Sequence, residues 1–169
     1  MSELSLSLDQ YDDIYSDFDS RQFLKRRISE DFLHELRIAK KYKKEKSTDL
    51  LLLLPQGRRD DHSEGVITNS LKDFFSDQFR DNRNKYTQKF NEGISLLIAG
   101  LLIMTVNSYI NFRDYPSFFF SVVKIILEPG GWFLLWLGFD FLFYDLREIK
   151  KEREFFKELS VMNIHFRSS

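Results

Sequence analysis

The spacing of apolar residues changes character several times along the chain, and each change marks an element. Leu4, Leu6 and Leu8 alternate with Ser5 and Ser7, the period of a strand with one apolar face. Asp9–Ser20 is acidic and turn-like, with Asp9, Asp12, Asp13, Asp17 and Asp19 interleaved with Tyr11, Ile14, Tyr15 and Phe18. Ser29 then reads as a helix N-cap followed by acidic Glu30 and Asp31, which suit the positive end of a helix dipole. Ile28 and Leu33 are spaced as a hydrophobic staple. Phe32, Leu33, Leu36 and Ala39 continue one face, so Ser29–Tyr42 is predicted as an amphipathic helix ending in the basic run Lys40–Lys46. Leu50–Leu54 is an unbroken apolar run closed by Pro55, which fits a short strand buried on both faces. Gln56–Glu64 is a polar loop. Ile67, Leu71, Phe74, Phe75 and Phe79 then recur at helical spacing, predicting a helix to about Asp81 that continues through the basic stretch Arg80–Lys89.

Ile94–Phe112 carries no formal charge and is long enough to cross roughly 30 Å of hydrocarbon as a helix. Gly93 precedes it and Arg113-Asp114 ends it. The second apolar stretch is interrupted. Ser117–Leu127 contains Lys124, Glu128-Pro129-Gly130-Gly131 follows, and Trp132–Tyr144 contains Asp140. It reads either as one long kinked helix or as a short outer helix, 117–127, followed by a span over 129–145. The second reading is preferred, because proline interrupts a helix ladder and because it keeps Lys124 and Glu128 out of hydrocarbon, where charge is costly.

After this stretch, Leu146–Leu159 reads as a charged helix with Ile149, Phe155, Phe156 and Leu159 on one face. Val161–Phe166 alternates and is β-prone. The expected fold class is therefore an α/β cytoplasmic domain whose small sheet joins the N-terminal strands to a C-terminal strand, with an inserted two-helix transmembrane hairpin. The expected divisions are 1–91 for the α/β domain, 92–145 for the hairpin and 146–169 for the helix and strand that complete the sheet. Without the tail, the N-terminal part alone gives a thin core.

Charge orients this plan. Arg80, Arg83, Lys85 and Lys89 precede the first span, and Arg147, Lys150, Lys151 and Arg153 follow the second, whereas the connection offers Arg113 and Lys124. The positive-inside rule places both termini in the cytoplasm, in a multi-pass protein of the cell (inner) membrane. The mean hydropathy of −0.36 conceals this division into charged ends and an apolar middle. The N-terminus has neither a basic start nor an apolar core, so it is not read as a signal peptide; the first span is expected to act as its own insertion signal. The chain has no cysteine, which excludes disulfides and cysteine-ligated zinc.

Within the spans, Gly93, Gly100 and Asn107 recur every seven residues, as do Gly131 and Gly138. Small residues at this spacing let helices approach closely in lipid. The two stripes are expected either to pack on each other within one hairpin or, with Thr105, Ser108, Asn111 and Asp140, to line an oligomeric interface or pore. In an antiparallel hairpin Asp140 comes level with Ser95, within reach of Lys89 or Asn91.

The acidic N-terminal segment, the Leu-rich strand ending in Pro55, and Gly131-Trp132-Phe133-Leu134-Leu135-Trp136 running into Phe143-Tyr144-Asp145-Leu146-Arg147 together resemble a group of small prokaryotic two-span membrane proteins. A terminal strand follows in both. The resemblance spans nearly the whole chain and implies the two-span plan; it carries no activity with it.

Candidate chemistry is sparse. The five aspartates at 9–19 lack the spacing of a calcium loop, and a solvated or capping role, or docking against Arg21, Arg26, Arg27 or the Lys40–Lys46 run, is favoured. Gly57, Arg58, Arg59 and Ser63 lie between a strand and a helix N-terminus, where anions bind; they are candidates for a phosphate or nucleotide, although the phosphate-loop spacing is absent. His34, His62 and His165 have no metal spacing. No enzyme, metal or cofactor is expected. The expected function is an oligomeric pore-forming or membrane-effector subunit, as in antiviral defence systems, regulated through its cytoplasmic domain. The alternative is a non-conducting anchor that recruits a cytoplasmic partner. The expected partners are the lipid bilayer, further copies of the chain, and a cytoplasmic protein or nucleotide signal, with no nucleic acid duplex.

Overall fold

The computed structural model describes residues 3–19, 26–43, 47–113 and 117–168. Arg21, Lys44–Lys46 and Asp114 lie outside the described residues. The described chain is mostly helical, with one small parallel sheet. The strands are β1 (Glu3–Ser7), β2 (Asp49–Leu54) and β3 (Asn163–Ser168), and the helices are α1 (Glu30–Tyr42), α2 (Asp61–Arg113), α3 (Phe118–Asp140) and α4 (Leu146–Val161). Contacts divide the chain into two compact units. One is Met1–Phe79 with Glu154–Ser169, and the other is Arg80–Arg153.

In the first unit the sheet order is β1-β2-β3, and both pairings are parallel. The C-terminal strand thus joins the two N-terminal ones, as its alternation predicts, with β2 in the middle. The register places Leu4, Leu50 and Ile164 side by side, and likewise Leu6, Leu52 and Phe166. This face packs against Phe32, Leu33 and Leu36 of α1, Ile67, Leu71 and Phe75 of α2, and Phe155, Phe156 and Leu159 of α4. The other face carries Ser5, Ser7, Asn163, His165 and Arg167, all exposed, with Leu51 sheltered among them. The expected cap is present, since Ser29 Oγ accepts from the Asp31 N–H at 3.2 Å. Lys40 reaches Glu158 at 2.8 Å, tying α1 to α4 beside the core.

The second unit holds the apolar parts of α2 and α3 side by side and antiparallel. Gly93 meets Leu142, Leu97 meets Gly138, Gly100 meets Leu135, and Met104 meets Gly131. Each layer pairs a glycine with a large side chain from the opposite helix. A Cβ at Gly100 would stand 2.9 Å from Leu135 Cγ, and one at Gly138 would stand 2.9 Å from the Gly93 carbonyl oxygen. Only glycine permits backbones this close. The outward positions are apolar and exposed, among them Ile98, Leu102, Phe112, Phe119, Ile126, Phe133 and Trp136.

The expected break at Pro129 does not occur. There is no separate helix over 117–127 followed by a span from 129; α3 runs from Phe118 to Asp140 with Pro129 inside it. Proline cannot donate to the Ile125 carbonyl, but losing one bond does not end a helix whose flanks are held. Gly131 is pressed against Met104, and nothing within 4 Å of Gly130 crowds the turn. The irregularity falls instead at Phe141–Asp145, a π-turn that leads into α4. Helical packing also extends beyond the apolar run. Arg153 stacks over Tyr86 at 4.6 Å and Lys89 over Phe141 at 4.6 Å, so this unit reaches from Arg80 to Arg153, wider than the 92–145 read from hydropathy.

Candidate functional site

The loop at the C-terminal ends of the strands is occupied by the chain's own carboxylates. Arg59 forms a two-pronged bridge to Glu64, Nε to Oε1 at 2.8 Å and Nη2 to Oε2 at 2.9 Å. The Tyr11 hydroxyl donates to Glu64 Oε1 at 3.0 Å and accepts the Asp60 N–H at 2.8 Å. Ser63 donates to Asp60 through its N–H and its hydroxyl, and Arg58 donates to the Asp9 carbonyl at 3.1 Å. Of the residues read as an anion site, Arg59 and Ser63 are therefore engaged by Glu64 and Asp60 and Arg58 by a backbone carbonyl, while the space around Gly57 is open. The strand order also has no reversal, the feature that opens a ligand crevice in such sheets. The Tyr11–Glu64–Arg59 network was not legible in the sequence. Its only trace is an acid in the first turn of α2 five residues after an arginine.

Arg59 holds the Glu64 carboxyl below its ordinary range, with the Tyr11 hydroxyl adding to the effect. A depressed carboxylate contributes stability that is present above its unfolded value, near 4.5, and is lost as pH falls through the folded value below it. Glu64→Gln is expected to cost roughly 1 kcal/mol at neutral pH. The gap from the parent should close on acidification below pH 4.5, as read by thermal melting of the full chain in detergent.

The acidic segment is structural in the same way. Asp13 Oδ2 accepts the N–H groups of Asp9 and Gln10 at 2.8 and 3.0 Å. Asp12 pairs with Arg26 at 2.7 Å, and Asp19 accepts the Arg27 N–H at 2.8 Å. Among the described residues no three His, Asp or Glu side chains converge on a metal position.

The second candidate is the seam between α2 and α3. Gly93, Gly100, Gly131 and Gly138 all face the opposite helix of the same hairpin. Asn107 lies in the same row and is 6% exposed, with its Oδ1 unbonded. Thr105, Ser108 and Asn111 are exposed; the Thr105 hydroxyl donates to its own helix at Leu101. Asp140 meets neither Lys89 nor Asn91. Lys89 pairs with Glu92 at 3.1 Å, the Ser95 hydroxyl donates to the Glu92 carbonyl, and Asp140 faces outward with Trp136, Phe139, Phe143, Tyr144 and Arg147 along a shallow groove of about 470 Å³.

Two helices are long and apolar enough to cross a membrane, Asp61–Arg113 and the continuous helical stretch Phe118–Val161. Comparisons with protein-family models, curated proteins and solved structures give no match.

Proposed function

We propose that this chain is a two-span protein of the cell membrane, with both termini cytoplasmic, that displays its α/β unit as a docking module for a cytoplasmic protein. The observation that supports an anchor over a pore is the use of the glycine stripes. A pore would need the small and polar row of each helix to face a shared axis, whereas Gly93, Gly100, Gly131 and Gly138 each hold a side chain of the opposite helix, leaving an apolar exterior suited to lipid. The engaged arginines at 58 and 59 favour a protein partner over a nucleotide signal.

The purified chain, reconstituted into planar bilayers, is expected to give no conductance with or without added nucleotides. Ion currents above those of protein-free bilayers would overturn the anchor reading. The pore reading has one observation in its favour. Thr105, Ser108 and Asp140 are exposed on apolar helices, where polar groups tend to face protein or water. In that case Asp140→Asn should change the current.

A further inference from the structure

Asp140 lies on the side of α3 turned away from α2. The seam on α3 is built by Gly131, Leu135, Gly138 and Leu142, and Asp140 stands about 200° round the helix from Gly138. It lines the shallow groove of about 470 Å³ with Trp136, Phe139, Phe143, Tyr144 and Arg147. These positions follow one another by steps of three and four, so they form one helix face, and its four aromatic side chains are all exposed. The π-turn at Phe141–Asp145 falls within this face, and such widened turns recur at functional sites. The seam register sets Asp140 level with Ser95, about one turn inside Glu92, and Phe141–Tyr144 separate it from Asp145. Asp140 is therefore within the apolar part of the helix. A charge in that position almost always faces protein or water and is paired. Its own hairpin supplies no counter-charge. Lys89 is held by Glu92 and lies over the Phe141 ring, and neither Asp140 nor Arg147 pairs through its side chain with another described residue.

We infer that this groove seats a transmembrane helix of a different membrane protein, one that carries a lysine or arginine level with Asp140. The inference rests on the two-span reading of the chain. Charge decides the occupant. A second copy in the same orientation, related by a two-fold axis along the membrane normal, brings Asp140 opposite Asp140 and Arg147 opposite Arg147, because the two residues lie about 10 Å apart along the helix. A phospholipid brings a phosphate that suits Arg147 and repels Asp140. A helix with a basic residue at the deeper level and an acidic one two turns nearer the cytoplasm answers both charges. Phe139 and Phe143, stacked at 6.1 Å, and Trp136 supply the apolar floor on which it packs.

Trp136 lies in the groove and is one of two tryptophans in the chain, so binding can be read without labelling the protein. The probe is a synthetic leucine–alanine transmembrane helix with one lysine near one end, a glutamate seven residues further on, and a dansyl group beside the lysine. In phosphatidylcholine vesicles holding the full chain, energy transfer from tryptophan to dansyl is expected at peptide concentrations about tenfold below those needed by a peptide with leucine in place of the lysine. Asp140→Asn should remove this advantage. Asp140→Lys, matched with a peptide bearing aspartate in place of the lysine, should recover it, and recovery also shows that the variant inserts. Equal transfer to the lysine and leucine peptides, an advantage that survives Asp140→Asn, or an exchanged pair that does not recover would overturn the inference while leaving the two-span reading intact. Release of the parent chain from the vesicles by alkaline carbonate would overturn both.

Discussion

Gly138→Leu is expected to separate the two helices of the hairpin. A Cβ at this position would lie 2.8 Å from Leu97 Cγ and 2.9 Å from the Gly93 carbonyl oxygen. The side chain could move, but the carbonyl belongs to the backbone of α2, so the helices themselves would have to part. Overpacking of a fitted contact costs about 1–3 kcal/mol, and leucine adds several more atoms to a layer already filled by Leu97. The hairpin should therefore melt well below the parent in detergent. Gly130→Ala is the matched control. Nothing lies within 4 Å of that position, and alanine improves helix propensity by about 1 kcal/mol, so its melting temperature should hold or rise. Equal losses at 130 and 138 would show that glycine matters here for backbone freedom and not for close approach.

Removing residues 154–169 is expected to unfold the α/β unit, although fewer than a fifth of its residues are lost with them. The segment supplies β3, which pairs with β2 along Asp49–Leu54, and Phe155, Phe156 and Leu159, all in the single core. Phe156 packs edge-on against Phe74 and lies 6.5 Å from the Phe75 ring. Phe156→Ala alone should cost about 3–5 kcal/mol, a large part of the 5–15 kcal/mol typical of a domain. Hydrogen exchange of β1 and β2 in the full-length chain and in the truncated one is the measurement. Protection of both strands that survives truncation would contradict a core shared across the hairpin.

The elements were legible where one periodicity dominates. Alternation marked β1 and β3, each shifted by one or two residues, and the Ser29 cap with its acidic first turn marked α1. Leu50–Leu54 read correctly as a strand despite the helix preference of leucine, because its length and the closing Pro55 outweigh propensity. Pro129 misled because proline's effect on a helix depends on what holds the helix on either side. Here Met104 against Gly131 does so, and that contact involves residues far apart in the sequence. The π-turn at Phe141–Asp145 left no sequence signal.

Candidate sites were harder still. Gly57, Arg58, Arg59 and Ser63 have the composition of an anion site, and composition does not reveal that Glu64 and Asp60 already answer them. A short-range motif names which charges are present; only the folded chain decides which carboxylate reaches which guanidinium first. The heptad of glycines was visible, but its partner was not, since the same stripe suits a hairpin or a larger assembly.

By itself, then, the sequence determined the order of elements, the two apolar helices and the charge asymmetry around them. These follow from residue-by-residue hydropathy and local backbone preference. The tertiary structure decided that the tail closes the sheet in parallel, that α3 passes through its proline, and that the glycines receive side chains of the same hairpin. Each of those outcomes depends on contacts between residues distant in the chain, whose energies no local pattern records.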